Sequence, residues 1–419
     1  MGKSSRCGNH NADYFSAAAD VGASAAILLK RTGSRPPSTF TMMLLLCILS
    51  YACAISLSPS PTNNGTAVVP DFVSFSIEFW CFSDYAGNAS QQNTFFQQLL
   101  HNLKSLTGKS PAIRIGGTSC DTTIFNSSLP TPSQIPSNSA GTFQPANVTY
   151  GPKYFDSFNN FANDTEFTFG INLALNTSKG LPNAKNEAQA AMEGIGGNLK
   201  VLEWGNEPDL YSAGSLRPAD YNQSSYVKEW LAASSTINSS LNYQFGSAGR
   251  MPDEVGGFQF ETLLDYGINS SGHAKVFSQH VYFFGQTTPG LSLAHLMNHS
   301  NTISTLKEFV LTAKDAQAQG VMYILGETSS VSTGGTHGIS DVYGASLWVL
   351  DYLCYSASHG KEDVLSSAHK SYRFHLCISI HSSSTRCYWW FWTKCTTAVL
   401  RYCGFRQCNW RWKDSRRHK

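Results

Sequence analysis

Between residues 54 and 353 the sequence has only two cysteines, Cys81 and Cys120, although the whole chain of 419 residues has 11. Two thiols in so large a body cannot make a disulfide framework. They pair with each other or stand as free buried thiols, and the sequence leaves both open. Charge is also scarce: 14% of residues are Asp, Glu, Lys or Arg, against 42% apolar. That balance belongs to a globular protein with ample core. No Gly-rich phosphate loop follows the first strand pattern, which argues against an open, doubly wound nucleotide fold. His273, His280, His295 and His299 have no metal-ligand spacing on one helix face, and His280 reads as a residue inside a strand. No metal and no cofactor are expected. Internal repeats are lacking too.

The formal net charge of +2 hides an asymmetry. From Tyr355 onward there are twelve Lys/Arg against three Asp/Glu, so the preceding part is acidic. Near the other end, TMMLLLCILSYACAISL (residues 41–57) is an apolar run of the length of a signal-peptide core. Lys30, Arg31 and Arg35 precede it, and Ala52-Cys53-Ala54 has the small-x-small form of a cleavage site. A secreted protein is expected; the alternative is a membrane anchor through residues 41–57, although a span needs about 20 apolar residues. Ten N-x-S/T sequons between Asn64 and Asn298, with none beyond, agree with secretion and N-glycosylation.

Residues 58–70 (SPSPTNNGTAVVP) read as a linker between the N-terminal extension, residues 1–57, and a folded body. In the body, runs with a strand period alternate with runs of helical period. Strands are expected at Phe72–Phe79, Ala112–Gly117, Phe167–Leu175, Lys200–Glu207, Tyr243–Gly249, Lys275–Phe284 and Val321–Glu327. Helices are expected near Gln91–Leu106, Lys153–Ala162, Ala184–Ile195, from Pro218, Thr302–Gln319 and Val342–Ser358. Seven β-then-α units imply an all-parallel sheet with helical crossovers, an α/β fold of the (β/α)8 TIM-barrel type over residues 71–360.

In such a barrel, chemistry sits at the C-terminal ends of strands. Polar residues stand there: Glu78 on strand one, Arg114 on two, Asn206 and Glu207 on four, Tyr282 on six and Glu327 on seven. Two carboxylates across a barrel mouth are what glycosidic bond cleavage requires, one giving a proton to the leaving oxygen and one attacking the anomeric carbon. Glu207 is the expected acid/base and Glu327 the expected nucleophile. Asn206 would donate its amide to a sugar hydroxyl, with Glu78 and Tyr282 also facing substrate. Arg114 and Tyr282 would both hold Glu327. Glu203, four residues before Glu207, is expected deep in its strand, bracing other barrel side chains. Gly116-Gly117 asks only for a tight turn, and residues 329–338 (SSVSTGGTHG) for a loop beside Glu327.

IRIGGTSCD (residues 113–121), EWGNEPDLY (residues 203–211) and LGETSS (residues 325–330) together resemble glycoside hydrolase family 79, which includes β-glucuronidases and heparanase-like enzymes. SFSIEFWCFSDYAGN (residues 74–88) is similar to the first strand of its microbial β-glucuronidases. The resemblance covers residues 70–360 and implies a retaining mechanism with Glu207 as acid/base and Glu327 as nucleophile. It also implies a glycan substrate ending in β-linked glucuronic acid or its 4-O-methyl form. A neutral-sugar glycosidase of the same clan, or an inactive carbohydrate-binding remnant, is the alternative.

The family continues into an eighth strand and a β-sandwich. Residues 361–419 show neither pattern and carry five cysteines and five tryptophans. Such a basic Cys/Trp-rich tail is what an out-of-frame translation or a misjudged intron boundary would produce, so it is no sign of a nucleic-acid partner. A barrel without strand eight has two unpaired edges, and the chain as written is therefore expected to be poorly active.

Overall fold

The computed structural model describes residues 68–136, 147–176, 178–237, 240–247 and 257–359, with the backbone of 375–380. The chain divides into residues 1–65, outside the described part, and residues 66–419, which hold the barrel. The segment 41–57 and nearly all of the expected tail therefore lie outside the described residues. Among the described residues, no helix is long and apolar enough to cross a membrane.

Eight parallel strands close a barrel among the described residues. They are β1 (Val73–Glu78), β2 (Ile113–Gly116), β3 (Phe167–Ile171), β4 (Leu199–Trp204), β5 (Asn242–Ser247), β6 (Ala274–Phe284), β7 (Met322–Val331) and β8 (His375–Ile380). Each pairs with the next, and β8 pairs with β1 from Val73↔Leu376 to Ile77↔Ile380. Five of the six expected helices are found, Thr94–Thr107, Gly180–Ile195, Gln223–Ser234, His299–Ala318 and Tyr343–His359. Asn93, Asn222 and Asn298 each cap one of these, their side chains accepting a backbone N–H of the first turn.

Strand eight corrects the sequence expectation. His375–Ile380 (HLCISI) fills the position that was expected to be empty, so both barrel edges are paired. Its Leu-x-Ile-x-Ile alternation is a period-2 signal, masked in the sequence by the Ser-rich and Cys-rich composition around it. The expectation of poor activity rested on open edges, and that ground is gone.

The expected helix near Lys153–Ala162 is a 3-10 helix, Pro152–Asn160. The reason is its aromatic spacing: Phe155, Phe158 and Phe161 recur every three residues, which eclipses them on one face at three residues per turn. All three are buried against Phe82, Phe96, Phe167 and Phe169. Burying each ring is worth about 1.5–3 kcal/mol, so packing overrides the weaker helix geometry. A small sheet (Thr123–Phe125, Ser133–Gln134, Val148–Tyr150) covers the same side. Cys81 and Cys120 are buried free thiols and do not pair.

Candidate active site

The polar residues at the strand ends meet in the barrel mouth around Arg114. This guanidinium, 1% exposed, donates Nε and Nη2 to the two oxygens of Glu203 at 2.7 and 2.9 Å. Nη2 also reaches Asn206 Oδ1 at 2.8 Å. Nη1 reaches Ser76 Oγ at 2.7 Å and Glu327 Oε2 at 2.9 Å. One planar fork thus ties β1, β2, β4 and β7 together, a job that the point charge of lysine would not do. Glu203 accepts a further bond from Gln244 Nε2 at 2.6 Å. Its place beneath the mouth agrees with the bracing role read from sequence.

Glu327 owes its position to a bulge. Leu325 pairs with Gln279 and Glu327 with His280, so Gly326 is an extra residue on β7. A bulge of this kind re-aims the following side chain. Glu327 Oε1 then accepts the Tyr282 hydroxyl at 2.5 Å while Oε2 accepts Arg114. The strand itself runs on to Val331, past the expected end at Glu327.

Glu207 lies just beyond β4 with φ 45° and ψ 55°, the left-handed region. For a residue with a side chain this costs about 1 kcal/mol or more, and such strain gathers at functional sites. Pro208 starts a short 3-10 turn directly after it. The Glu207 side chain is 16% exposed, and Oε1 lies 2.8 Å from His280 Nδ1. The same Nδ1 is 3.8 Å from Glu327 Oε2. Burial alone would lower the His280 pKa, but the charges of Glu327 and Glu207 and the bond to Glu207 outweigh it and raise the pKa.

His280 was missed by sequence reasoning, which left it as a strand residue. The available signal was its spacing: two residues before Tyr282 on one strand puts both on the same face. Ligand atoms of Glu207, His280 and Glu327 all lie within 4.8 Å of one another, close enough to share a cation. His280 Nδ1 is engaged with Glu207, and Glu327 Oε2 with Arg114. The fixed positive charge of Arg114 beside Glu327 also opposes a second cation.

Glu78 is buried at the end of β1 and accepts the backbone N–H groups of Thr118 and Ser119, both at 3.2 Å, and the Ser119 hydroxyl. Burial first, and then the charge of Glu327, push its pKa up to about 7. Gly117, read only as a turn, has a second reason to be glycine. Its φ is 79°, and a Cβ there would stand 2.4 Å from the Glu78 carboxyl carbon.

Every site residue expected from sequence therefore lies in one mouth, and two carboxylates approach there from β4 and β7. One carboxylate oxygen of Glu207 and one of Glu327 lie within 4.8 Å of each other.

Comparison with known proteins agrees with the fold. No protein-family model matches the chain. A β-glucuronidase of Neurospora crassa is 34% identical over 363 residues, covering 80% of this chain and 64% of that protein. A β-glucuronidase of Aspergillus niger is 34% identical over 323 residues, covering 73% and 60%. The chain thus spans less than two thirds of the length of these curated relatives. Among solved structures, a 4-O-α-L-rhamnosyl-β-D-glucuronidase from Fusarium oxysporum, in complex with Rha-GlcA, superposes with TM-score 0.65 at 25% identity, covering 82% of this chain and 72% of that one. With these relatives and this arrangement of strand-end residues, the chain is similar to the β-glucuronidases, in agreement with the motif resemblance to glycoside hydrolase family 79.

Proposed function

We propose that this protein is a retaining glycoside hydrolase that removes β-linked glucuronic acid, or its 4-O-methyl form, from glycans or proteoglycans. The observation that carries the reading is the convergence of Glu207 and Glu327 within 4.8 Å in a barrel mouth. Glu327, ionised and oriented by Arg114 and Tyr282, attacks the anomeric carbon, and the glycosidic bond breaks as Glu207 gives its proton to the leaving oxygen. A covalent glycosyl-enzyme results. Water then attacks the anomeric carbon and breaks its bond to Glu327, with Glu207 taking the water proton and Glu327 leaving as carboxylate. Asn206, whose Oδ1 is fixed by Arg114, is left with its amide N–H₂ for the hydroxyl next to the reacting carbon. Both curated relatives carry the name β-glucuronidase, which supports the choice of sugar.

Secretion and N-glycosylation belong to the same proposal. Asn88, Asn126, Asn147, Asn163, Asn176, Asn222 and Asn298 are exposed, as glycan acceptors must be. A panel of aryl glycosides tests the reading. Cleavage of the β-glucuronide with β-glucuronic acid as first product is expected, followed by NMR before mutarotation. Preference for a neutral glycoside, or inversion at the anomeric carbon, would overturn it.

A further inference from the structure

Two residues that close the family motifs have no part in the chemistry above. Asp121 is the last residue of IRIGGTSCD and Tyr211 the last of EWGNEPDLY, 90 positions apart. Both are buried, and they touch: the Tyr211 hydroxyl donates to Asp121 Oδ1 at 2.9 Å. The same oxygen accepts the Asn206 backbone N–H at a longer 3.4 Å.

We propose that Asp121 is a positioning residue for the acid/base, holding the Gly205–Glu207 turn in its left-handed form and so aiming the Glu207 carboxyl at the leaving-group oxygen. The inference rests on the glycosidase reading. The turn is doubly unusual, with Gly205 at φ 83° and Glu207 at φ 45°. A backbone in that region persists only where its surroundings over-determine it. Asn206, in the middle, is clamped from both sides: its side chain by Arg114 inside the barrel, its backbone by Asp121 outside. The Tyr211 hydroxyl also bounds the turn, since a Cβ at Gly205 would stand 2.7 Å from it.

The clamp is itself anchored. Arg217 lies over the Tyr211 ring at 5.5 Å, and Tyr221 stacks on the ring at 6.0 Å. Arg217 donates to the carbonyls of Leu173 and Ala174, just after β3, at 2.8 and 2.7 Å. Glu229 on the helix Gln223–Ser234 holds Arg217 and Tyr221 in turn. Both contacts fall on one carboxyl oxygen, Asp121 Oδ1. Burial raises its pKa well above the usual range, the bonds from Tyr211 and Asn206 oppose this, and the charges of Glu203 and Glu207 add to the rise. Only an acceptor oxygen is then required, so asparagine should serve nearly as well as aspartate.

The test compares Asp121→Leu, Asp121→Asn and Tyr211→Phe in the full chain. Substrates are an alkyl β-glucuronide, whose leaving group needs a proton, and 2,4-dinitrophenyl β-glucuronide, whose leaving group does not. General acid catalysis contributes about 10²–10⁴-fold. Asp121→Leu should therefore lose about 30-fold or more in kcat/KM on the alkyl glucuronide and about 3-fold or less in kcat/KM on the dinitrophenyl one. On the dinitrophenyl substrate kcat and KM should fall together, because Glu207 is also the base of the second step. Asp121→Asn should recover most of the loss, and Tyr211→Phe should fall between. An equal loss on both substrates would mean a merely structural role and would overturn the proposal.

A crystal structure of Asp121→Leu gives a readout independent of turnover. Glu207 displaced from His280 is the expected result, and Glu207 still bonded to His280 with its left-handed φ would refute the proposal. Wild-type protein without turnover on any glucuronide would sink the functional reading, while the crystal structure would still decide the positioning role.

Discussion

The two ends of the barrel use the same residue types to different effect. At the N-terminal end, Lys109 bridges Asp71 at 2.5 Å and Glu166 at 3.2 Å, and Lys104 bridges Asp164 at 2.6 Å. The Lys104 and Asp164 side chains are 36% and 40% exposed. At the C-terminal end, Arg114 and Glu203 are 1% and 5% exposed. Water screens the Lys104–Asp164 pair, which is worth about 0–1 kcal/mol. The C-terminal set has lost its water, so each charge depends on its partners. Ion pairs close strand entrances at one end and define a reaction site at the other. Burial makes the difference.

Four substitutions sharpen that contrast. The largest effect on activity is expected for Glu327→Gln, which removes the nucleophile. Aryl β-glucuronide turnover should fall by at least ~10⁴-fold with little change in circular dichroism. Retained turnover would move the nucleophile elsewhere. Arg114→Ala should abolish activity as well and also destabilise the fold. Removing one member of a buried charge set costs about 3–5 kcal/mol, readable as a lower urea midpoint at unchanged slope. An Arg114→Ala protein as stable as wild type would show that the buried set has no structural weight.

A third, intermediate effect concerns pH. Glu187 is buried behind the small sheet and bonded by Thr123 and the Asn172 N–H; burial pushes its pKa up from 4.5 to about 8 against the lowering effect of those bonds. A folded-state pKa above the unfolded value means stability that is whole below about 4.5 and lost as pH climbs through about 8. Thermal melts should therefore show wild type losing several degrees between pH 5 and 8.5, with Glu187→Gln losing less. Glu78, raised to about 7, leaves a residual slope of the same sign. Parallel wild-type and variant profiles would remove Glu187 as the cause. The smallest effect belongs to Lys104→Ala at the N-terminal end, under about 1 kcal/mol by chemical denaturation. A loss as large as that of Arg114→Ala would erase the distinction between the two ends.

Much of this architecture was legible in the sequence. Seven strands were visible as period-2 runs, and a barrel puts their C-terminal ends on one rim, although the strands holding Arg114, Tyr282 and Glu327 run on past those residues. The eighth strand escaped because six alternating residues inside a Cys/Trp-rich stretch offer little signal on their own; they become a strand where β1 and β7 leave an open position between them. The 3-10 helix Pro152–Asn160 escaped for a different reason, since aromatic packing at three-residue spacing overrode the helical reading. His280 was visible in sequence but not as a site residue. Its bond to Glu207 needs β4 and β6 brought together across the mouth.

The sequence by itself determined the order of strands and helices, the face on which each strand-end side chain stands, and the pair of carboxylates, because side-chain periodicity and turn residues are local properties. Only the tertiary structure decided which side chains meet. The bulge at Gly326 aims Glu327, Arg114 joins four strands through one guanidinium, and the left-handed turn at Glu207 sits against His280 and Asp121. Those contacts join residues up to 213 positions apart. They depend on barrel closure, which fixes the distances between strands that no local pattern encodes.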